Sequence, residues 1–325
     1  MNSALPETMR AAVIDATGGP EVFRIAEVPR AFPISAELLV EVHAAGVNPI
    51  DAKTRGGKGV SAAIPAFPAI LGSDFAGVVA ASPYDAYPLQ PGDRVYGMIP
   101  VPRTSGSLAE YAPISALGVA RAPQNLELVD AAAVPLAALT AWGALHDGAG
   151  VQAGQRVLVH AGAGGVGHFA VQLAKIAGAE VIATASAANA DFVRSLGADR
   201  VIDYRSERFE EVVGDIDAVI DLIGNVADDT GSRSLKVLAA DGIIVNVPTG
   251  SWPTFHEEAA AAGLRGTTYK VSPDGRRLAQ ITDLIEQGRL RVHVDEVFPL
   301  ERVADAHRRA ETGHVRGKLV VRIRS

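Results

Sequence analysis

Up to about Pro123 the apolar positions fall in short runs punctuated by Gly and Pro. Leu38–Val42 (LLVEV), Gly77–Ala81 (GVVAA) and Arg94-Val95-Tyr96 behind the turn Pro91-Gly92-Asp93 are examples. Runs of this length between turn residues predict strands, and so many in succession predict a β-rich, barrel-like domain. The stretch DAAAVPLAALTAWG (130–143) predicts helix, with Pro135 either kinking it or starting its second part. From there the pattern changes period. Apolar runs RVLV, EVIAT (180–184), VIDY (201–204), AVIDLI (218–223) and GIIVNV (242–247) alternate with helical stretches. That alternation predicts a doubly wound parallel sheet. Past about Gly266 come a helix near Leu278–Gln287, a strand VHVDEVF, a helix over Glu301–Thr312 and a strand-like GKLVVRI. This tail is expected to return to the first domain, which leaves the α/β unit as a central insert. Residues 1–8 read as an extension ahead of a strand from Arg10.

The segment RVLVHAGAGGVGHFAVQLAK (156–175) adds chemistry to the pattern. An apolar strand feeds Gly162-Ala163-Gly164-Gly165-Val166-Gly167, which opens directly into a helix. Strand, G-x-G-x-x-G and helix in that order suit a dinucleotide. The first glycine permits the tight turn, the second lets backbone approach a pyrophosphate, and the third lets helix pack on strand. The helix N-terminus then offers N–H groups and a positive dipole end to the phosphates. A nicotinamide dinucleotide is the expected ligand.

Composition narrows the classes. At 325 residues the chain can build two cores, and 48% hydrophobic with 21% charged residues is ordinary for a compact protein. The net charge of −7 is scattered, which argues against nucleic acid as a partner. No apolar run approaches a bilayer span, so no membrane partner is expected. There is no cysteine, hence no disulfide, thiolate nucleophile or cysteine-ligated metal. That count, and an N-terminus without targeting character, fit a cytoplasmic protein. No G-x-S-x-G elbow is present, and GGKG (56–59) lacks the spacing of a P-loop.

Several ordered segments resemble one superfamily along nearly the whole chain: AAGVNPIDAKTR (44–55), LGSDFAGVV (71–79), GDRVYGM (92–98), GSLAEYA (106–112), AAAVPLAALTAW (131–142), AGAGGVGHFAVQLAK (161–175), GADRVIDY (197–204) and GHVRGKLVV (313–321). Together they resemble the medium-chain dehydrogenases/reductases, in the zinc-independent quinone oxidoreductase and enone reductase branch that includes zeta-crystallin-like proteins. The resemblance implies a Rossmann sheet inserted in a GroES-like barrel domain, with the GroES-like catalytic part at 1–125 plus 266–325 and the NADP(H)-binding part at 126–265. Zinc-dependent relatives carry Cys where this chain has Asn48 and His where it has Ser73, so no metal is expected. Hydride transfer without a Lewis acid suits quinones and α,β-unsaturated carbonyls, whose oxyanion needs only hydrogen-bond donors.

The resemblance also assigns candidate residues. Asn48 and Lys53, from NP-x-D-x-K, are the catalytic candidates: Lys53 to donate to a substrate carbonyl or the nicotinamide ribose, Asn48 to orient either. A solvated Lys53 and a turn-capping Asn48 are the plainer alternatives. Asp51 reads as a brace of the loop rather than a base. The cofactor is assigned Thr140, Gly162, Gly164, Gly165, Val166, Gly167, Ser186, Tyr204, Ile223, Val247 and Lys318, the last reaching in from the returning tail. After EVIAT no carboxylate appears until Asp191, which favours NADPH over NADH. The cation that relatives place around Ala188 is missing, so NADH stays as the second choice. His160 and His168 read as structural. Pocket walls are expected from 53–66, 98–104 and 251–262, with Trp252 and Phe255 as an apolar lining. A homodimer through 251–271 is implied. The expected activity is NADPH-dependent hydride transfer to a quinone or enone; the rival is an NADPH-binding structural or regulatory protein without turnover.

Overall fold

The computed structural model describes residues 5–100, 105–226 and 228–324. The chain folds into two compact units. The first runs to Leu136 and takes in Ser272–Gly288 and the tail from Val292; the second is Ala137–Val271 with Arg289–Arg291.

In the first unit, β1 (Thr8–Ile14) pairs antiparallel with β2 (Phe23–Pro29) and, at its end, with β4 (Ala69–Ile70). A larger sheet is built on the long strand β3 (Glu37–Val47), which pairs with β5 (Asp74–Ala81) and β7 (Tyr111–Ser115); β6 (Arg94–Met98) pairs with β5, and β8 (Val119–Arg121) with β6. The chain returns from the second unit, whose strands are β9 to β14, through β15 (Val294–Pro299) and β16 (Lys318–Arg322). β16 completes the sheet against β3, so the order is β15-β16-β3-β5-β6-β8 with β7 also on β3. The expected strands are present; β3, β5 and β6 run a little beyond their expected stretches, and β15 and β16 are a little shorter than theirs. Phe75, Leu38, Leu39, Ile14 and Ile114 fill this core. Burial of side chains this large stabilises by about 1.5–3 kcal/mol each.

In the second unit, β9 (Arg156–Val159), β10 (Glu180–Ala185), β11 (Arg200–Asp203), β12 (Ile216–Asp221), β13 (Leu238–Asn246) and β14 (Arg265–Thr268) form one parallel sheet in the order β11-β10-β9-β12-β13-β14. The near-continuous apolar runs of the inner strands β9, β10 and β12 reflect burial on both faces. Counted along the unit this is the 3-2-1-4-5-6 winding, whose order reverses between β9 and β12; ligands of such sheets bind outside the strand ends at that point.

The helices, in chain order, are α1 (Pro49–Arg55), α2 (Leu128–Ala131), α3 (Pro135–Gly143), α4 (Gly167–Ile176), α5 (Ala190–Ser195), α6 (Phe209–Val212), α7 (Thr230–Ser234), α8 (Phe255–Ala261), α9 (Gly275–Glu286) and α10 (Val303–Glu311). Pro135 opens α3, where a missing N–H costs nothing. Trp252 and Phe255 correct the expectation of a pocket lining. Their rings meet edge to face at 4.9 Å and pack into the core of the second unit, 4% and 2% exposed. Apolar surface of that size is taken up by the nearest core. Of the other expected walls, residues 101–104 lie outside the described residues, as do residues 1–4 of the N-terminal extension.

Candidate active site

In the second unit the glycine loop turns sharply off β9. Ala161 takes the left-handed conformation (φ 51°), Gly164 N donates to Ala161 O (2.9 Å), and Gly162 N donates to Thr184 O (2.9 Å). A Cβ on Gly167 would lie 2.0 Å from Ala161 O, so only glycine lets α4 start here.

A buried histidine stands behind this turn. Ser234 Oγ donates to Thr230 O (2.7 Å), so its lone pairs are left to accept from His160 Nε2 (2.8 Å). His160 Nδ1 then accepts from Thr184 Oγ1 (3.1 Å), which in turn accepts from Ala161 N (3.2 Å). The chain is satisfied only by a neutral imidazole, and burial pushes the His160 pKa down to about 4. The structural reading of His160 thus gains a specific content: it ties β9, β10 and α7 to the residue that begins the loop.

Of the other assigned cofactor residues, Ser186, Tyr204, Ile223 and Val247 lie at neighbouring strand ends of the second unit, whereas Lys318 belongs to the first unit, where its ammonium is held by Asn48, Val47 and Asp74. Ser186 follows β10, and Tyr204 follows β11, where Tyr204 N donates to Ala185 O (3.3 Å). Ile223 and Val247 are both organised by Asp221, a fully buried residue that sequence reading passed over. Its Oδ1 accepts from Ile223 N (2.9 Å) and Gly224 N (2.8 Å), its Oδ2 from Asn246 Nδ2 (2.7 Å), and its carbonyl from Val247 N (3.0 Å). An acid closing an apolar strand, with Asn at the same place on the next strand, is the signal that could have found it. Thr140 is buried in α3. Arg205 was also passed over. Its guanidinium lies 5.7 Å from the centroid of the exposed Tyr204 ring, on the strand end beside Ser186. Asp191, the first acid after β10, is paired with Arg194 (2.8 Å).

In the first unit, Asn48, Asp51, Ser73, Asp74 and Lys318 form one buried network, none more than 3% exposed. The register explains it: Leu319 pairs with Val47, which brings Lys318 alongside Asn48. Asp74 opens β5 on the other side of β3. Gly46 leaves the room, since a Cβ there would lie 2.4 Å from Ala132 O and 2.9 Å from Asp74 Oδ2. Asn48 caps α1, followed by Pro49 at the first helical position. Asp51 Oδ2 accepts from Asn48 N (3.0 Å), the returning half of a capping box, and Asp51 Oδ1 accepts from Ser73 Oγ (2.7 Å). Asp51 does brace this loop.

The Asn48 carboxamide turns away from the helix. Its Nδ2 donates to Asp74 Oδ2 (2.9 Å) and its Oδ1 accepts from Lys318 Nζ. Lys318 also donates to Val47 O (2.9 Å) and stands 3.5 Å from Asp74 Oδ2, while Asp74 Oδ1 accepts from Leu136 N (2.7 Å). Burial pushes the Asp51 carboxyl up to about 6, raises that of Asp74 and lowers the Lys318 ammonium. Three donors converge on Asp74 and three acceptors on Lys318, which favours an ion pair there and places the labile proton on Asp51. Lys53 lies apart from the network, on the exposed face of α1, and its side chain makes no hydrogen bond or ion pair among the described residues. The structure therefore joins Asn48 directly to Lys318, and the exposed Lys53 side chain stands apart from both.

A 3-2-1-4-5-6 parallel sheet with a glycine loop at its switch point, in one chain with a β-rich unit that takes back the last strand, defines a medium-chain type of dinucleotide-dependent dehydrogenase or reductase. Comparison with known proteins bears directly on this class. Residues 35–124 match the family model for the alcohol dehydrogenase GroES-like domain, and residues 196–321 match that for zinc-binding dehydrogenases. The chain is 33% identical to the mitochondrial NAD(P)H oxidoreductase RTN4IP1 of Danio rerio, covering 99% of this chain and 93% of the relative. It is 36% identical to the chloroplastic NADPH-dependent alkenal/one oxidoreductase of Arabidopsis thaliana, over 98% and 81%. The solved quinone oxidoreductase of Coxiella burnetii superposes with a TM-score of 0.91 at 37% identity, over 98% and 100%. The chain belongs to the medium-chain dehydrogenase/reductase superfamily.

Where metal-dependent relatives have Cys and His, Asn48 and Ser73 are committed to Asp74, Lys318 and Asp51. A lysine ammonium already supplies the buried positive charge, and a second cation beside it would be repelled. No group of three or more His, Asp or Glu among the described residues is arranged to hold a metal.

Proposed function

We propose that the protein is an NADPH-dependent reductase that delivers hydride to the conjugated carbon of an α,β-unsaturated carbonyl, without a metal ion. The observation that carries this reading is the buried Asn48–Asp74–Lys318 network in the place of metal ligands, beside a helix that offers Lys53 to solvent. The bound dinucleotide supplies the hydride. The chain supplies binding, orientation and charge. The glycine loop and the N-terminus of α4 receive the pyrophosphate, as the G-x-G-x-x-G arrangement does by its backbone geometry. Ser186, Tyr204 and Arg205 receive the adenosine 2′-phosphate, Arg205 providing the cation that the residues around Ala188 lack. Lys53 donates a hydrogen bond to the carbonyl oxygen as it gains negative charge, and water supplies a proton to the α-carbon of the enolate, leaving hydroxide to the solvent. Asn48 acts through the rigidity that its network confers on the start of α1.

Quinones are the second reading, favoured by the likeness to the Coxiella burnetii enzyme. Lys53 is compatible with either acceptor, since both develop an oxyanion. Purified protein, NADPH or NADH, and a panel of enones, alkenals and quinones, followed by nicotinamide absorbance, tests the proposal. NADPH consumption with an enone supports it. NADPH binding with turnover of no acceptor overturns it in favour of a non-catalytic cofactor-binding protein.

A further inference from the structure

In the proposed reading the glycine loop on β9 receives the pyrophosphate, and Ser186, Tyr204 and Arg205 put the adenosine end over β10 and β11. A dinucleotide laid across the switch point then runs the other way from β9, so its nicotinamide end falls over β12 and β13. The segments that leave those two strands are fastened to each other by hydrogen bonds that end on one carboxylate.

Asn225 N donates to Ser251 O (3.0 Å), which joins the segment behind β12 to that behind β13. The Asn225 side chain is held at both ends by Ser232 of α7: its Nδ2 donates to Ser232 Oγ (2.7 Å) and its Oδ1 accepts from Ser232 N (3.0 Å). Ser232 Oγ in turn donates to Glu258 Oε2 (2.5 Å), on α8. The other carboxylate oxygen accepts from Trp252 Nε1 (3.0 Å) and from Thr254 Oγ1. The hydrogen bond from Ser232, with those from Thr254 and Trp252, holds the Glu258 carboxyl below its ordinary range. Two glycines let the segments come this close. A Cβ on Gly224 would lie 2.1 Å from Ser251 Oγ, and one on Gly231 would lie 2.4 Å from the Trp252 ring and 2.8 Å from Asn225 Oδ1.

Core packing accounts for part of this. Trp252 is buried on its own account, and α8 packs through the buried Phe255 and Ala259. It does not account for the chain Asn225–Ser232–Glu258, whose members are half-buried. We propose that Glu258 is a positioning residue for the nicotinamide end of the coenzyme. It acts through Ser232 and Asn225, which keep the backbone at Ile223 and Val247 in place behind β12 and β13. Asp221 fixes the inner side of both segments, and Glu258 fixes the outer side. With the clasp open, the segments have to be ordered at binding, and apparent affinity falls by the fraction of molecules already ordered. The inference rests on the proposed dinucleotide reading.

Calorimetric titration of the full chain, without an acceptor, with NADPH and separately with 2′-phospho-ADP-ribose tests it, since the second ligand lacks the nicotinamide ring. Glu258→Ala should weaken NADPH by about five- to tenfold and leave 2′-phospho-ADP-ribose within about twofold. Ser232→Ala should act in the same sense, and it carries the test alone should Glu258→Ala fail to fold. In the double variant the loss should not exceed the larger single loss, because both residues act through one chain of bonds. Equal weakening of the two ligands would show that Glu258 serves only the fold of the second unit, and additive losses would show two unrelated effects. Either result overturns the proposal, as does unaltered NADPH affinity in the single variants. Absence of NADPH binding by the unaltered chain overturns the dinucleotide reading itself, and this inference with it.

Discussion

Lys318 Nζ donates to Asn48 Oδ1, so the last strand of the chain holds the residue that caps α1. Some 270 residues of sequence separate the two, and only the β3–β16 register brings them together. The same ammonium stands 3.5 Å from Asp74 Oδ2, which accepts the other end of the Asn48 amide. Neither end of that amide can rotate without leaving a buried charge short of a partner.

Lys318→Met, close in length but uncharged, should therefore destabilise the first unit by about 3–5 kcal/mol, the cost of breaking a buried pair from one side. Adding Asp74→Asn should restore part of the loss, because the remaining amide oxygen still accepts from Leu136 N and no carboxylate is left unpaired. Urea denaturation of the two single variants and the double variant closes the cycle. A Lys318→Met cost below about 1 kcal/mol would show the network to be incidental.

Two buried groups pull stability in opposite directions with pH. Asp51 moves from its ordinary 3.8 to about 6, so the folded chain binds a proton more tightly than the unfolded one. Its contribution is favourable at low pH and is lost as pH rises between those values. His160 moves from 6.5 down to about 4, so the unfolded chain holds the proton more tightly; its contribution is present above 6.5 and lost as pH falls through that window. The two largely offset each other. Asp51→Asn fixes one group as neutral and should unmask the other. Stability at about pH 7.5 minus that at about pH 4.5 should become larger than in the unaltered chain by about 2 kcal/mol. An unchanged difference in denaturant titrations at the two pH values would mean that Asp51 is ionised throughout.

Gly167→Ala tests the loop in isolation. The added methyl carbon would fall 2.0 Å from a backbone carbonyl that cannot swing away, since it also accepts from Gly164 N. Displacement of α4 should lower NADPH affinity by at least about tenfold, in the range of 1.4 kcal/mol or more, while the first unit keeps its own stability. Fluorescence titration with NADPH measures the loss. Wild-type affinity in this variant would remove the loop from the cofactor site.

The alternation of apolar runs and helices was enough to read a doubly wound sheet in the second unit, because its inner strands β9, β10 and β12 are almost wholly buried and carry their own signal. The edge strand β14 (RGTT), with no buried residue, gave none. The return of the tail was legible in GKLVVRI as a strand, and its partner follows once the GroES-like resemblance is admitted. The polar network was legible only in part. Asn48 and Lys318 stand out singly, but hydrogen bonds between residues distant in sequence have no local signature. Asp221 and Asp74 were missed for that reason: each ends or begins an apolar strand, where an acid reads as a solvated boundary. Trp252 and Phe255 erred the other way, since large apolar residues in a loop and short helix read as a ligand wall when they are core.

Coenzyme choice gives the last test. Ser186 and Tyr204 lie at the ends of adjacent strands, and Arg205 stacks near the Tyr204 ring, a position that holds its charge at that edge with no acidic ion-pair partner among the described residues. A 2′-phosphate placed there would accept from the guanidinium. NADH carries no such group, so Arg205→Ala should raise the KM for NADPH by about five- to tenfold, the value of roughly 1–1.4 kcal/mol for one solvent-facing charge-assisted contact, and leave that for NADH within twofold or so. Ser186→Asp should act further, because a carboxylate repels the phosphate and accepts from a free 2′-hydroxyl, and should turn the preference toward NADH. Steady-state kinetics of both variants with both coenzymes and one enone measures the ratio. If Arg205→Ala lowers the two coenzymes equally, the arginine serves the fold of this edge and the 2′-phosphate is read elsewhere.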